Sequence, residues 1–411
     1  MFRLHIENNK LKSKLSKMIC DGERIKLRQC PEDFKVEEIA KFDIYKEPKA
    51  YKLYILEKKG VETFSLLEYL SKQNNIPLDD FKIAGIKDRH AVTKQHFTIP
   101  SRYSIDTLKE ENFSITFKGY LENPLKLGEL QANRFEITAR AILKGELDGI
   151  KMKSATICSL GVPNYFDSQR FGSVVRKMFI AKALIQKDYE GAVKIYLTAY
   201  PDSESRRNKD EKDLILQNWS ALENVKVTNR NLQRVIDEYN RTKDGIAAYR
   251  KIPSQLRELF ISSYQSYLWN ECAKMIIIYT LPRKITYPIE YNLGKLYFYK
   301  NVTEQQLKEL PETLKTISDQ IKPTEYEAKI IGKLLQKESL TISDFNIKSA
   351  TGNFFKTHDR ALLVRPIDFR ISEPLHDEHN SRGRKCFKIV VSFTLPKGSY
   401  ATIVTKRIFN S

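Results

Sequence analysis

Glycine is scarce in this chain: 16 of 411 residues, where average usage near ~7% would place about 29. A collagen-like chain is excluded, and each glycine that remains becomes informative. Cysteine is also sparse. Cys20, Cys30, Cys158, Cys272 and Cys386 are odd in number, widely spaced and form no Cys-x-x-Cys pair, which argues against a disulfide scaffold or zinc ribbon and for reduced thiols in a cytoplasmic protein. Long apolar runs are missing too. The longest, such as Met275 to Tyr279 and Ile389 to Val391, fall far short of the ~20 residues of a spanning helix. The stretch MFRLHIENNKLKSK has no continuous apolar core, so neither membrane insertion nor a secretory signal is expected. Neither a Walker sequence nor a Gly-x-Gly-x-x-Gly run is present, which removes the commonest nucleotide-cofactor readings.

What the chain has in excess is positive charge. Seventy Lys and Arg against 51 Asp and Glu leave a formal charge of +19. That balance points to a polyanionic partner, and the basic residues are interleaved with 21 Tyr and 21 Phe rather than gathered in a tail, as on a folded basic surface. A Lys/Glu-rich surface with no nucleic-acid partner would give the same arithmetic. The length suggests two or three domains, and 41% apolar residues suffice for a buried core.

Hydrophobic patterning changes along the chain. Residues 34–44, 51–57, 81–86, 92–99 and 134–142 read as strands, with a helix over 63–73 carried by Phe64, Leu67 and Tyr69/Leu70. From Gly161 the pattern turns helical, over 174–199, from Ser254 as N-cap to about Tyr279, and at 304–310 and 325–336. The charged run DSESRRNKDEK at 202–212 reads as an exposed loop. Strand character returns at 385–395 and 401–409, on either side of Pro-Lys-Gly-Ser-Tyr, where Gly398 can supply an unusual backbone angle. Strands, then helices, then strands indicate an α+β domain built from both chain ends with a second domain inserted, 1–160 with 365–411 around 161–364.

The glycines mark three clusters. In AGIKDRHAVTKQ (84–95) a strand delivers Asp88 into a turn rich in cations, and neighbouring cations favour the ionised carboxylate. Such an Asp can be a nucleophile or stabilise positive charge developing on a sugar, or it can be a solvated turn residue. In LGELQANRF (127–135), Asn133 offers a donor and an acceptor to a base edge and Phe135 a stacking face; a loop leading to a core Phe fits as well. GVPNYFDSQRFG (161–172) packs three aromatics with Asn, Gln and Arg, equally suited to domain packing and to substrate contact. His376 and His379 lack a third ligand at motif spacing, so no metal site is expected there.

Taken in order, AGIKDRHAVTKQ, NRF, VPNYFDSQRFG, SSYQSYLWN (262–270) and LPKGSYATIVTKRI resemble the TruD family of tRNA pseudouridine synthases from about Arg28 to the C-terminus. The segment between Val174 and Ser254 is longer than in compact bacterial members, as in the archaeal and eukaryotic branches. The resemblance implies a pseudouridine synthase catalytic domain with a mostly antiparallel mixed sheet, plus an inserted helix-rich α+β domain. It implies an isomerase acting on uridine of tRNA, position 13 being the expectation, as a cytoplasmic monomer without cofactor. Asp88 matches the family's catalytic aspartate. Phe34 in Pro-Glu-Asp-Phe, Asn133 and Tyr400 match positions lining the substrate pocket, Phe135 the aromatic that stacks on the target uracil, and Arg28 a basic position near the aspartate. Relatives often carry Gly where this chain has Asp167. The alternative on the same fold is a non-catalytic protein that binds structured RNA, against which the intact Lys87-Asp88-Arg89 turn counts.

Overall fold

A computed structural model of the chain describes residues 25–126, 128–202, 204–380 and 385–410. The chain divides into two compact units, one within residues 1–161 and 365–411 and the other spanning 162–364. No described helix is long and apolar enough to cross a membrane.

The first unit is built on a ten-stranded sheet. Its strands include β1 (Phe34–Ile39), β2 (Tyr51–Lys59), β3 (Lys82–Ile83), β4 (Val92–Pro100), β5 (Leu108–Lys109), β6 (Phe113–Leu121) and β7 (Ala132–Ile142). From one edge the order is Ile367–Ile371, Phe387–Pro396, β7, β1, β4, β2, β6, β5. Every pair is antiparallel except β1 with β4. Helix α1 (Thr63–Asn74) starts where the Glu62 carboxylate accepts the Ser65 N–H at 2.7 Å and stops at Asn75, whose φ of +53° is left-handed. It buries Leu66, Leu67 and Leu70 against Tyr54, Leu56 and Phe97 of the sheet. That stripe lies beside the expected one, leaving Phe64 and Tyr69 46% and 45% exposed.

Alternating apolar runs that pair on both edges form strands as read from the sequence, whereas other expectations are corrected. The first strand ends at Ile39, where its pairing with β7 ends at Ala132, and only Lys82–Ile83 of 81–86 is in the sheet. The carbonyls of Ala84 and Gly85 accept from Gly128 N and Gln95 Nε2 instead of from a ladder. The helix expected over 174–199 is two helices, Ile180–Ile185 and Tyr189–Thr198, separated at Lys187 with φ +60° and restarted by Asp188. The charged run is not a loop: Arg206–Gln217 is a helix capped by Ser205 and held by Lys212 Nζ on the Ala199 carbonyl at 2.7 Å, its charges forming a solvated face.

The last correction is Ala401–Phe409, a helix rather than a strand. Gly398, at φ +79°, turns the chain out of Phe387–Pro396, and that strand already pairs with β7 on one edge and Ile367–Ile371 on the other. No ladder is open, so the β-branched residues bury Ile403, Val404 and Ile408 on a helical face.

Strand β6 has no counterpart in the expectations. At Gly119 it carries a register irregularity against β2, with φ +143°. A Cβ there would lie 2.5 Å from Ile44 Cγ2 and 2.8 Å from the Tyr45 carbonyl oxygen. Gly119→Ala is therefore expected to lower stability by about 1–3 kcal/mol, read as a lower denaturant midpoint at unchanged m-value; an unchanged midpoint contradicts it.

The second unit is organised by the helix Ser254–Thr280, buried on all sides through its middle. Its first residue is Ser254, but no side chain caps it. The side-chain amide of Asn270 takes both backbone groups of Phe166, N at 2.9 Å and O at 2.8 Å. Trp269 meets the Phe166 ring edge-on, and Arg360 lies 4.0 Å above that ring. The VPNYFDSQRFG cluster thus packs on SSYQSYLWN within this unit. Asp167 has an extended φ of −97° and accepts the Ser168 N–H at 2.7 Å, so no glycine is required there.

Candidate active site

The parallel pairing of β1 with β4, Lys35 opposite Val92, sets the first residues of both strands side by side. The chain leading into β1 carries Arg28, and the chain leading into β4 carries Asp88. The Arg28 guanidinium meets the Asp88 carboxylate at 2.5 Å, both partly exposed, and lies 4.0 Å over the Phe34 ring. Phe34 in turn meets Phe135 edge-on at 6.2 Å, and Phe135 packs on Phe393.

Register explains this gathering. Phe393, Phe135, Val36, Thr93 and Lys58 are successive partners across five strands, and Leu395, Asn133 and Glu38 form a second row. Partners in one row share a face of the sheet. Phe34 and Phe135 are 4% and 8% exposed, so they are walls rather than surface residues.

The turn 84–90 closes over this face, with its backbone tied down group by group. Gly128 N donates to the Ala84 carbonyl at 2.8 Å, Thr63 Oγ1 reaches the Lys87 carbonyl at 3.4 Å, and Lys58 Nζ donates to the Asp88 carbonyl at 2.9 Å. The Asp88 side chain accepts the His90 N–H at 3.0 Å, an Asx turn that fixes its direction. Lys87 points away from Asp88. Its ammonium sits 2.8 Å from Glu38 Oε1 and donates to Asn133 Oδ1 at 3.1 Å. The cation against Asp88 is therefore Arg28, not its sequence neighbour. With Oδ1 taken by Lys87, the Asn133 amide nitrogen is oriented to donate elsewhere. Tyr400 begins the helix Ala401–Phe409, after a turn tied by Lys397 N to the Gln131 carbonyl and by Lys397 Nζ to that of Gly128. The loops leading to Asn133 and Tyr400 are thereby joined to the loop bearing Asp88.

Two buried ionisable residues here were missed from the sequence. Burial alone would raise the Glu38 carboxyl, but its bonds from His96 and Lys87 hold it below the ordinary range. Lys58 is 2% exposed. Burial pulls its ammonium down to about 8, against the opposing attraction of Asp88 and Glu62. The signal for Lys58 was its place as an inward member of the Tyr54, Leu56, Lys58 alternation.

Behind the site, the buried Arg140 side chain of β7 reaches Asp33 at 2.7 Å, Asp377 at 3.2 Å and Glu378 at 3.1 Å. Asp33 also accepts the backbone N–H groups of Gln29 and Cys30, each at 3.1 Å. The network therefore shapes the turn that carries Arg28. Asp377 belongs to it, whereas neither His376 nor His379 joins any group of three metal-ligating residues among the described residues.

The Asp88 carboxylate is thus paired with a guanidinium that rests on the Phe34 ring, Phe34 packs on Phe135, and Lys87 orients the Asn133 amide. The profile of the tRNA pseudouridine synthase D (TruD) family matches residues 15–291 and 299–408, and the chain belongs to that family, whose members are isomerases. It is 38% identical over 394 residues to tRNA pseudouridine synthase D 1 of Methanococcus maripaludis, covering 94% of this chain and all of that one. It is 29% identical to tRNA pseudouridine synthase D of Aquifex aeolicus, covering 94% and 98%. A crystal structure of a TruD chain from Methanosarcina mazei has the same fold, with a TM-score of 0.68 at 23% identity over 94% of this chain and 93% of that one.

Proposed function

We propose that this chain converts uridine in tRNA to pseudouridine through Asp88, without a cofactor, at position 13 by resemblance to the family. The observation that carries this reading is the Asp88 carboxylate held by Arg28 and the His90 N–H above a wall of buried aromatics. The reaction breaks C1′–N1, turns the uracil and forms C1′–C5, with a proton lost from C5 and one gained at N1. It is redox-neutral and calls for no electron carrier. A carboxylate beside C1′ can stabilise oxocarbenium character, take a nearby proton or add to C6.

The detached ring has to be held while it turns, and water kept from C1′. Phe135 supplies the stacking surface, Tyr400 a further wall, and the Asn133 amide nitrogen a donor to a uracil carbonyl. Phe34 bears the Arg28 guanidinium on its face, which makes it a support for the Asp88 partner as well as a wall. The target nucleotide enters unpaired or flipped, because a stacked uridine exposes neither face nor C1′. Spread Lys and Arg hold the surrounding phosphates.

The test is incubation with transcribed tRNA followed by mapping of pseudouridine. Modification at position 13 is the expected result; tight tRNA binding without modification would assign the chain to non-catalytic RNA binding. Affinity for tRNA is expected to fall about 10²-fold or more between 50 and 200 mM salt, as ~5 or more phosphate contacts require. A flat salt response would detach the +19 charge from RNA binding.

A further inference from the structure

Lys58 projects from β2 on the same inward side as Tyr54 and Leu56, yet it carries a charge into that apolar row. Its ammonium donates to two carbonyls, Val61 at 2.9 Å and Asp88 at 2.9 Å, and among the described residues no carboxylate lies within ion-pair distance of it. Burying an ammonium without an ion pair disfavours folding, and a neutral donor could satisfy a carbonyl. The position therefore has a use for the charge.

The neighbours show what that use is. From the chain after β2, Glu62 attracts the ammonium, as Asp88 does from the turn above; Lys87 on that turn repels it. Its strand partners, Thr93 on β4 and Phe113 on β6, carry no charge. Arg28 faces the Asp88 carboxylate from the partly exposed side. Asp88 is thus held between two cations of different kinds. Arg28 pairs with its carboxylate where water screens the interaction, and Lys58 pins its main chain in a buried setting where screening is weaker.

We propose that Lys58 is a positioning residue for the reaction at Asp88: its buried ammonium fixes the Asp88 carbonyl, and with it the direction in which the carboxylate leaves the turn. The inference rests on the role given above to Asp88. Burial brings the Lys58 ammonium down to about 8, within reach of an activity profile; above that pH the neutral amine can still donate, but without the charge that strengthens both hydrogen bonds.

The experiment measures single-turnover rates on tRNA from pH 6 to 9.5 for the wild-type chain, Lys58→Met, Lys58→Arg and Asp88→Asn. The wild-type rate is expected to fall above about pH 8. Lys58→Met should lower the rate at pH 7 by 30-fold or more, leave tRNA affinity within threefold, and lose the alkaline fall. That loss separates Lys58 from the uracil ring, which itself titrates in alkaline solution. Lys58→Arg keeps the charge and should retain more of the rate than Lys58→Met, with no fall near pH 8. A Lys58→Met rate within twofold of wild type, or an alkaline fall that persists in it, overturns the proposal. Should Lys58→Met not fold, a wild-type profile flat from pH 7.5 to 9, or a Lys58→Arg rate that falls like wild type, overturns it equally. Turnover by Asp88→Asn would instead remove the reading of Asp88 on which it stands.

Discussion

Replacing Asp88 with Asn is expected to reduce pseudouridine formation below detection, a loss of at least about 10³-fold, while tRNA affinity stays within a few-fold of wild type. The substitution is close to isosteric. Its side-chain oxygen can still accept the His90 N–H that orients Asp88, so the turn keeps its shape and only the charge and basicity disappear. Arg28 loses its ion-pair partner but keeps the Phe34 ring beneath it. Binding is preserved because affinity comes from many phosphate contacts, and losing one negative charge near a polyanion does not weaken them. Parallel measurement of product by release of tritium from C5-labelled uridine in the tRNA and of affinity by filter binding decides the matter. Turnover within tenfold of wild type would remove Asp88 from the chemistry, and loss of affinity together with turnover would make it a binding residue.

The largest effect on stability is expected at Arg140. Arg140→Leu leaves Asp33 and Asp377, 1% and 0% exposed, without the guanidinium that neutralises them, and breaking a buried pair from one side costs about 3–5 kcal/mol. In a unit of this size that is a fall in Tm of about 10 °C, readable by calorimetry. The effect extends to the site, since Asp33 also holds the backbone of Gln29 and Cys30, the turn that presents Arg28. Residual activity should therefore fall more than unfolding alone explains.

The wild-type protein carries the matching pH signature. Bonds from Lys388 and Arg140 pull Glu378 down to about 2, and backbone and side-chain donors hold Asp377 below its usual value despite burial. Groups depressed in the folded state stabilise it fully above their unfolded values near ~4 and lose that contribution as pH falls toward about 2. Stability should drop across this window in the wild type and less steeply in Arg140→Leu. Equal slopes would place the acid sensitivity elsewhere.

Alternating apolar residues made β2, β4 and β7 legible, because a face that buries every second side chain tolerates no other period. Pro-Lys-Gly-Ser-Tyr was legible as a turn, because a left-handed backbone at Gly398 favours glycine. Patterning failed where burial depends on a neighbour. The 202–212 run is as polar as a loop, but its helix is held by Ser205 and by Lys212 bonded across to Ala199. The 401–409 run has the β-branched content of a strand, but no strand edge is free to receive it.

By itself, then, the sequence determined which family this chain belongs to, that positive charge would be spread over it, and which short motifs, each a local run of residues, carry the candidate site residues. Only the tertiary structure decided which charges act together. The parallel pairing of β1 with β4 sets Arg28 against Asp88, sixty positions apart, and sends Lys87 to Glu38 and Asn133 instead. Burial turns Lys58 from one of many lysines into a stronger acid beneath the Asp88 turn. Composition and spacing carry the identity of a side chain, whereas its ionisation and its partner depend on the surrounding dielectric and on strand register, which exist only once the sheet has formed.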